Sequence, residues 1–147
     1  MKKKYLAQII ATDNEGLQMI SVCSAGAKVK VSDLKYLGSS KVFLMSLVRE
    51  KIEAGQNKKL INSICRFDFV DKVRSKNIDQ KNHELKLELI GIDYLKNKNN
   101  YEINLIFKNN LHIALTTETI EVRLEDQNEI REEWKSYFII IKILKRN

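Results

Sequence analysis

Three observations predict an α+β fold on a mostly antiparallel sheet. Short segments repeat an apolar residue at every second position and end in turn signals, which is the strand pattern. Helix-spaced apolar residues occur near each end of the chain. The length, 147 residues, suits one domain. The expected architecture is a single domain: a curved sheet or small barrel of about seven strands with an early helix and a C-terminal helix. Residues 1–134 would form the globular part. Residues 135–147 would be a tail continuing the last helix.

The chain opens with a charged run, Lys2 to Lys4, then an apolar stretch from Tyr5 to Ala11. Gln8 interrupts that stretch, and it lacks the length and cleavage site of a secretory leader, so it reads as a first strand. Thr12 and Glu15 have capping-box spacing, and Asp13 adds negative charge to a first helical turn. Leu17, Ile20 and Ser24 share one helical face, flanked by Met19 and Cys23. Gly26 stands where the helix would stop. From Lys28 to Val31 the period changes to two, predicting a strand.

Gly38-Ser39-Ser40 marks a turn. Val42 to Val48 is apolar on both faces, as in a central strand, and Arg49 to Lys59 reads as a loop. Leu60 to Val73 is one extended run, with Ile61, Cys65, Phe67, Phe69 and Val73 on one face and Asn62, Arg66 and Asp68 on the other. A polar connection, Arg74 to His83, follows. Leu85, Leu87 and Leu89 alternate before Ile90, Ile92 and Tyr94 take the opposite parity, which predicts a β-bulge around Gly91. Asn97 to Asn100 is a turn. Tyr101, Ile103, Leu105 and Phe107 alternate, Asn109-Asn110 suits a two-residue hairpin turn, and Leu111, Ile113 and Leu115 continue beyond it. Ile120, Val122 and Leu124 keep strand period, yet 118–126 also fits the start of a helix. Asp126 and Glu129 have capping-box spacing, with Ile130, Trp134, Tyr137 and Ile141 at helical intervals behind them. The β-branched residues of 137–144 leave helix and strand both open there.

Net charge is +7, which taken alone suggests an acidic partner. However, 20 of the 26 basic residues are Lys, scattered from end to end, and Asn and Ile are abundant while Pro is absent. That profile fits an AT-rich genome better than a clustered polyanion site. Cys23 and Cys65 form no CxxC pair and fit a reducing, cytoplasmic setting as small buried hydrophobes. No stretch reaches the ~20 apolar residues of a membrane span. Phosphate-cradling glycine loops, GxSxG and HExxH are absent, so no cofactor, metal or catalytic residue is assigned. His83 is expected in a solvated loop, and His112 on the wet face of a strand.

The most site-like stretch is Arg66 to Ser75. Arg66, Asp68, Val70 and Lys72 are expected on one strand face with Arg74 following, opposite Phe67 and Phe69. A solvated ion-pair row is the plain reading; a charged ligand held by Arg and carboxylate is the functional one. The candidate binding set is Asp33, Arg49, Arg66, Asp68, Arg74, Asp79 and Glu118. A working site requires Asp33 or Glu118 to touch Arg66 or Arg74.

Several segments resemble one family. Asp13 with Gly16 to Ser21 is similar to its D-x-x-D-L-x-x-I-S, and Val29 to Leu37 to its V-x-V-x-D-L-x-Y-L. Phe67 to Val70 and Val73 to Asp79 are similar to its F-D-x-V-x-x-V-R-S-x-x-I-D, and Glu118 to Glu121 with Trp134 to its closing segment. The family is a set of small, mostly alphaproteobacterial proteins known as domain of unknown function twenty-nine forty-eight. The resemblance runs from Tyr5 to Trp134. Ala25-Gly26 replaces the family's Gln-Asp, and Arg49-Glu50-Lys51-Ile52 replaces its R-F-x-W. The resemblance implies no activity. The expected role is a non-catalytic cytoplasmic binding or adaptor module with a protein partner. The alternatives are a nucleic-acid-binding protein using its basic surface and an enzyme with a carboxylate/arginine site. Oligomeric state is not encoded in any pattern.

Overall fold

A computed structural model describes residues 8–51 and 59–129. Strand β1 (Gln8–Ala11) leads into helix α1 (Asn14–Ser24), then β2 (Lys28–Lys30), a 3-10 turn (Val31–Asp33) and β3 (Leu34–Leu37). Next come β4 (Val42–Lys51), β5 (Lys59–Phe67), β6 (Val70–Lys76), β7 (Lys86–Lys96), β8 (Tyr101–Phe107), β9 (Leu111–Thr117) and β10 (Val122–Glu129). The strands form one antiparallel sheet in the order β1-β10-β5-β4-β2-β7-β8-β9-β6, with β3 beside the first half of β4.

The sheet curves until its two halves face each other. Met45, Leu47, Cys65, Phe67 and Leu124 from one half share a core with Leu87, Leu89, Ile103, Leu105, Phe107 and Leu115 from the other. Phe43 and Phe67 pack with ring centroids 6.0 Å apart, in the tilted geometry aromatic pairs prefer.

The expectation of a curved sheet or small barrel of about seven strands is thus corrected: the sheet is curved, but among the described residues it has ten strands and ends at β1 and β6 rather than closing as a barrel. Three strands are extra. The 3-10 turn ends β2 early and lets β3 begin. A corner splits the expected Leu60–Val73 run into β5 and β6. Residues 122–129 are strand rather than the opening of a helix, because they fill the place between β1 and β5. Asp126, the expected helix cap, sits inside β10. The expected C-terminal helix from residue 130 onward, with the tail 135–147, lies outside the described residues. So does 52–58, the centre of the expected loop. At its borders Arg49 to Lys51 complete β4, and Lys59 opens β5.

The corner is set by Phe69. Its φ is +58°, a left-handed conformation costly for a bulky residue, and it reverses the parity of the strand. Phe67 and Val70 are therefore fully buried, whereas Phe69 is 42% exposed and not the core residue its spacing suggests. Neighbouring backbone secures the bend: Asp68 N–H donates to Glu121 O at 3.0 Å, and Glu118 N–H to Phe69 O at 3.1 Å.

Helix α1 buries Leu17, Ile20 and Ser24, as the spacing predicts. Its N-cap is Asp13 rather than Thr12: the Asp13 carboxylate accepts from Gly16 N–H at 2.8 Å. Gly26 stops the helix at φ +84°, and its N–H donates to Leu89 O at 2.7 Å. The expected bulge occurs between Leu89 and Gly91. Ser21 Oγ accepts from Ile92 N–H there at 2.9 Å, seating α1 on β7. The β8–β9 loop is one residue longer than expected, Lys108 to Asn110, with positive φ at both Asn109 and Asn110.

Candidate functional site

The structure disperses the seven candidate residues. Arg66 pairs with its neighbour Asp68 at 3.1 Å on the outer face of β5. Arg74 on β6 pairs with Glu102 on β8. Glu118 binds Lys41 at 2.9 Å, which also binds Asp71 at 2.9 Å. Those contacts, led by the Glu118 hydrogen bond, push the Lys41 ammonium above its ordinary value. Asp79 accepts from Lys81 N–H at 3.0 Å within a turn. Asp33 is exposed at the end of the 3-10 turn. Among the described residues, neither Asp33 nor Glu118 touches Arg66 or Arg74. Val70, expected beside Arg66 and Asp68, faces the core because of the corner.

Arg49 is buried instead. Its guanidinium binds both Asp126 oxygens, at 2.9 and 3.0 Å, and Ser63 Oγ donates to Asp126 Oδ1 at 2.7 Å. Arg49 also donates to Cys23 O at 3.5 Å, putting its charge at the negative end of the α1 dipole. Burial would raise the Asp126 carboxyl. The Ser63 hydroxyl, Arg49 and Lys51 outweigh it and hold the group below the usual carboxylate value. The two buried charges, Arg49 and Asp126, pair with each other, so the cluster reads as a structural fastener between β4, β5, β10 and α1. Cys65 nearby is fully buried, and burial raises its thiol far from thiolate chemistry.

Among the described residues, a recessed polar surface lies elsewhere, on the outer face of β6, β9 and β8. Cross-strand pairing sets out three rows: Ile106, His112 and Lys76; then Asn104, Ala114 and Arg74; then Glu102, Thr116 and Lys72. Two cavities open on this face, of about 660 and 180 Å³, and both are lined by Lys76 and His112. The larger sits by the β8–β9 loop, with Ile90, Ile106 and Leu111 as apolar wall and Asn77, Asn109 and Asn110 as polar rim. The smaller is bounded by Arg74 and Glu102. His112 Nε2 lies 2.9 Å from Asn104 Oδ1, fixing the imidazole between the rows. His112 is therefore half-buried rather than turned freely to water; His83 is exposed as expected.

This arrangement suits holding a ligand. Among the described residues, no group of three or more His, Cys, Asp or Glu is placed for a metal ion. Over residues 7–137 the chain matches a family described as Protein of unknown function (DUF2948). The chain belongs to that family. No curated protein and no solved structure matches it.

In this DUF2948 protein the resemblance segments at 67–79 form the Phe69 corner and the whole of edge strand β6. Arg49, which opens one departure from the resemblance, is the centre of the buried cluster. The other departure, Ala25-Gly26, is the helix stop. Among the described residues of the DUF2948 chain, no helix is long and apolar enough to cross a membrane.

Sequence reading missed Lys72, Lys76, Glu102, Asn104 and His112 as a group. A signal existed: Glu102, Asn104 and His112 occupy the polar parity of their strands. Pairing them, however, requires the loop length, and an error of one residue moves every facing side chain to the other parity. The expected two-residue turn makes that error.

Proposed function

We propose that this protein is a non-catalytic binding module that holds a protein partner on the outer face of β6, β9 and β8. The observation that carries this reading is that both cavities open on one polar sheet face and share Lys76 and His112. An apolar wall with convergent polar groups is the common make-up of a binding site. A cytoplasmic setting fits the two free cysteines. The enzyme alternative has little support, since the seven candidate residues do not converge. The nucleic-acid alternative is weakened by local neutralisation. Lys28 and Lys108 both bind Glu88, and those contacts, that of Lys108 foremost, pull its carboxyl down to about 2. Lys41 is likewise shared by two carboxylates.

The test places a photo-crosslinking residue at Ile106 in cells and, separately, at Lys35 on the other half of the sheet. A discrete adduct from position 106, absent from position 35 and reduced by Lys76→Glu, supports the reading. No adduct, or equal adducts from both positions, overturns it.

A further inference from the structure

Among the described residues, strand β6 ends the sheet and pairs only with β9. In an antiparallel strand the N–H and C=O of alternate residues point away from the partner. Along Lys72–Lys76 those outward groups have no partner among the described residues. The edge is long enough to take another strand, and three alternate residues of its outer face, Lys72, Arg74 and Lys76, are basic, while Asp71 at the bulge is taken up by Lys41. Arg74 is neutralised by Glu102. Lys72 and Lys76 have no acidic partner among the described residues and stand four positions apart, about 13 Å along a strand.

Edge lysines also guard strands against unwanted pairing. That guard repels apolar or basic strands, but it attracts an extended chain whose carboxylates share its spacing. We infer that the edge of β6 accepts an extended acidic peptide as an added strand, with carboxylates four positions apart facing Lys72 and Lys76. The position between them meets the Arg74–Glu102 pair, so an uncharged residue fits there. The inference rests on the binding-module reading and specifies its partner. Backbone pairing gives affinity, and the two lysines give sequence preference, as in other strand-addition complexes. Side chains on the same face of the added strand lie beside Lys76, which lines both cavities, with His112 one strand further in on β9.

The probe is an acetylated, amidated peptide of threonine and valine with two glutamates four positions apart, followed by fluorescence anisotropy at low salt. Three controls accompany it: a lysine-for-glutamate peptide, a peptide N-methylated at alternate amides, and a single-stranded DNA oligonucleotide. Binding of the acidic peptide alone, weakened roughly tenfold or more by Lys72→Glu with Lys76→Glu, is expected. Both lysines are exposed, and circular dichroism verifies that the variant folds. Equal binding by the N-methylated peptide overturns strand addition; equal binding by the lysine peptide overturns the charge match. DNA displacing the peptide, or the edge closing on a second copy of the chain in sedimentation, also overturns it. A silent peptide with the Ile106 adduct intact means that only the edge inference fails. Loss of both means that the binding-module reading fails too.

Discussion

Arg49, on β4, reaches across β5 to hold both carboxylate oxygens of Asp126, on β10, and both side chains are more than nine-tenths buried. Three strands of one half-sheet are tied by this contact, and α1 is tied to them through Cys23 O. A buried pair is costly to break singly because the remaining charge stays in a low-dielectric interior. Arg49→Ala or Asp126→Ala is expected to lose about 3–5 kcal/mol in urea unfolding. Replacing the pair together by Met and Leu is expected to lose much less, since no buried charge is left unpaired and Lys51, which also contacts Asp126 at 3.6 Å, reaches water. A double variant as unstable as either single one would show that packing, not charge, is what the cluster supplies.

The same cluster predicts acid sensitivity. The folded Asp126 carboxyl is held below its ordinary value. A group so depressed contributes stability that is complete above its unfolded value, near pH ~3.9. That stability is lost as pH falls through the lower folded value, because protonation then competes with folding. Stability measured between about pH 5 and 2 should fall for the native protein, with a shallower slope for Asp126→Asn. Equal slopes would exclude Asp126 as a contributor.

Phe67 and Phe69 separate burial from spacing. Phe67 is fully buried, so Phe67→Ala should cost roughly 3–5 kcal/mol. Phe69, two positions on, is half-exposed and left-handed. Phe69→Gly should be neutral or stabilising by about 1 kcal/mol, as the strain removed offsets the little packing lost. A large loss on Phe69→Gly would mean that the ring, rather than the backbone, holds the corner.

These two phenylalanines also show how far the sequence is legible. Alternation marks strand interiors well, because one dry face enforces it; Leu17, Ile20, Ser24, the bulge at Gly91 and the turn at Asn97 all follow from local pattern. The corner at Phe69 does not, because left-handed Phe gives no compositional sign and the backbone bonds that hold it come from Glu121 and Glu118. Arg49 reads as loop for a similar reason: its buried partner, Asp126, is distant in sequence and itself reads as a helix cap. The outer face depends on register, which a loop one residue longer displaced.

The β8–β9 loop gives a direct test of that register. Asn109 and Asn110 both hold positive φ, which costs an ordinary L-residue about 1–2 kcal/mol. Asn110→Gly should stabilise by up to about 1 kcal/mol, and Asn110→Ala should destabilise by a similar amount. The Asn77 Nδ2 bond to Asn110 O at 3.0 Å is to backbone and survives both changes. Stabilisation by alanine would place a different loop between Phe107 and Leu111.

Gly16 opposes two effects whose magnitudes decide the outcome. It lies in the first turn of α1, where alanine would ordinarily gain about 1 kcal/mol of helix propensity. A Cβ there would come within 2.8 Å of Ala11 Cα and 2.9 Å of Ala11 Cβ. Ala11 is fully buried in β1, and its Cα moves only with the backbone, so the contact cannot be relieved by a side-chain rotation. Overpacking of this kind costs about 1–3 kcal/mol and should exceed the propensity gain. Gly16→Ala is therefore expected to be destabilising, with a melting temperature lower by a few degrees, each kcal/mol being worth roughly 2–4 °C in a chain of this size. The loss should be relieved in part by Ala11→Gly, which removes the facing Cβ. A higher melting temperature for Gly16→Ala alone would mean that α1 stands farther from β1 than the close approach at Ala11 requires.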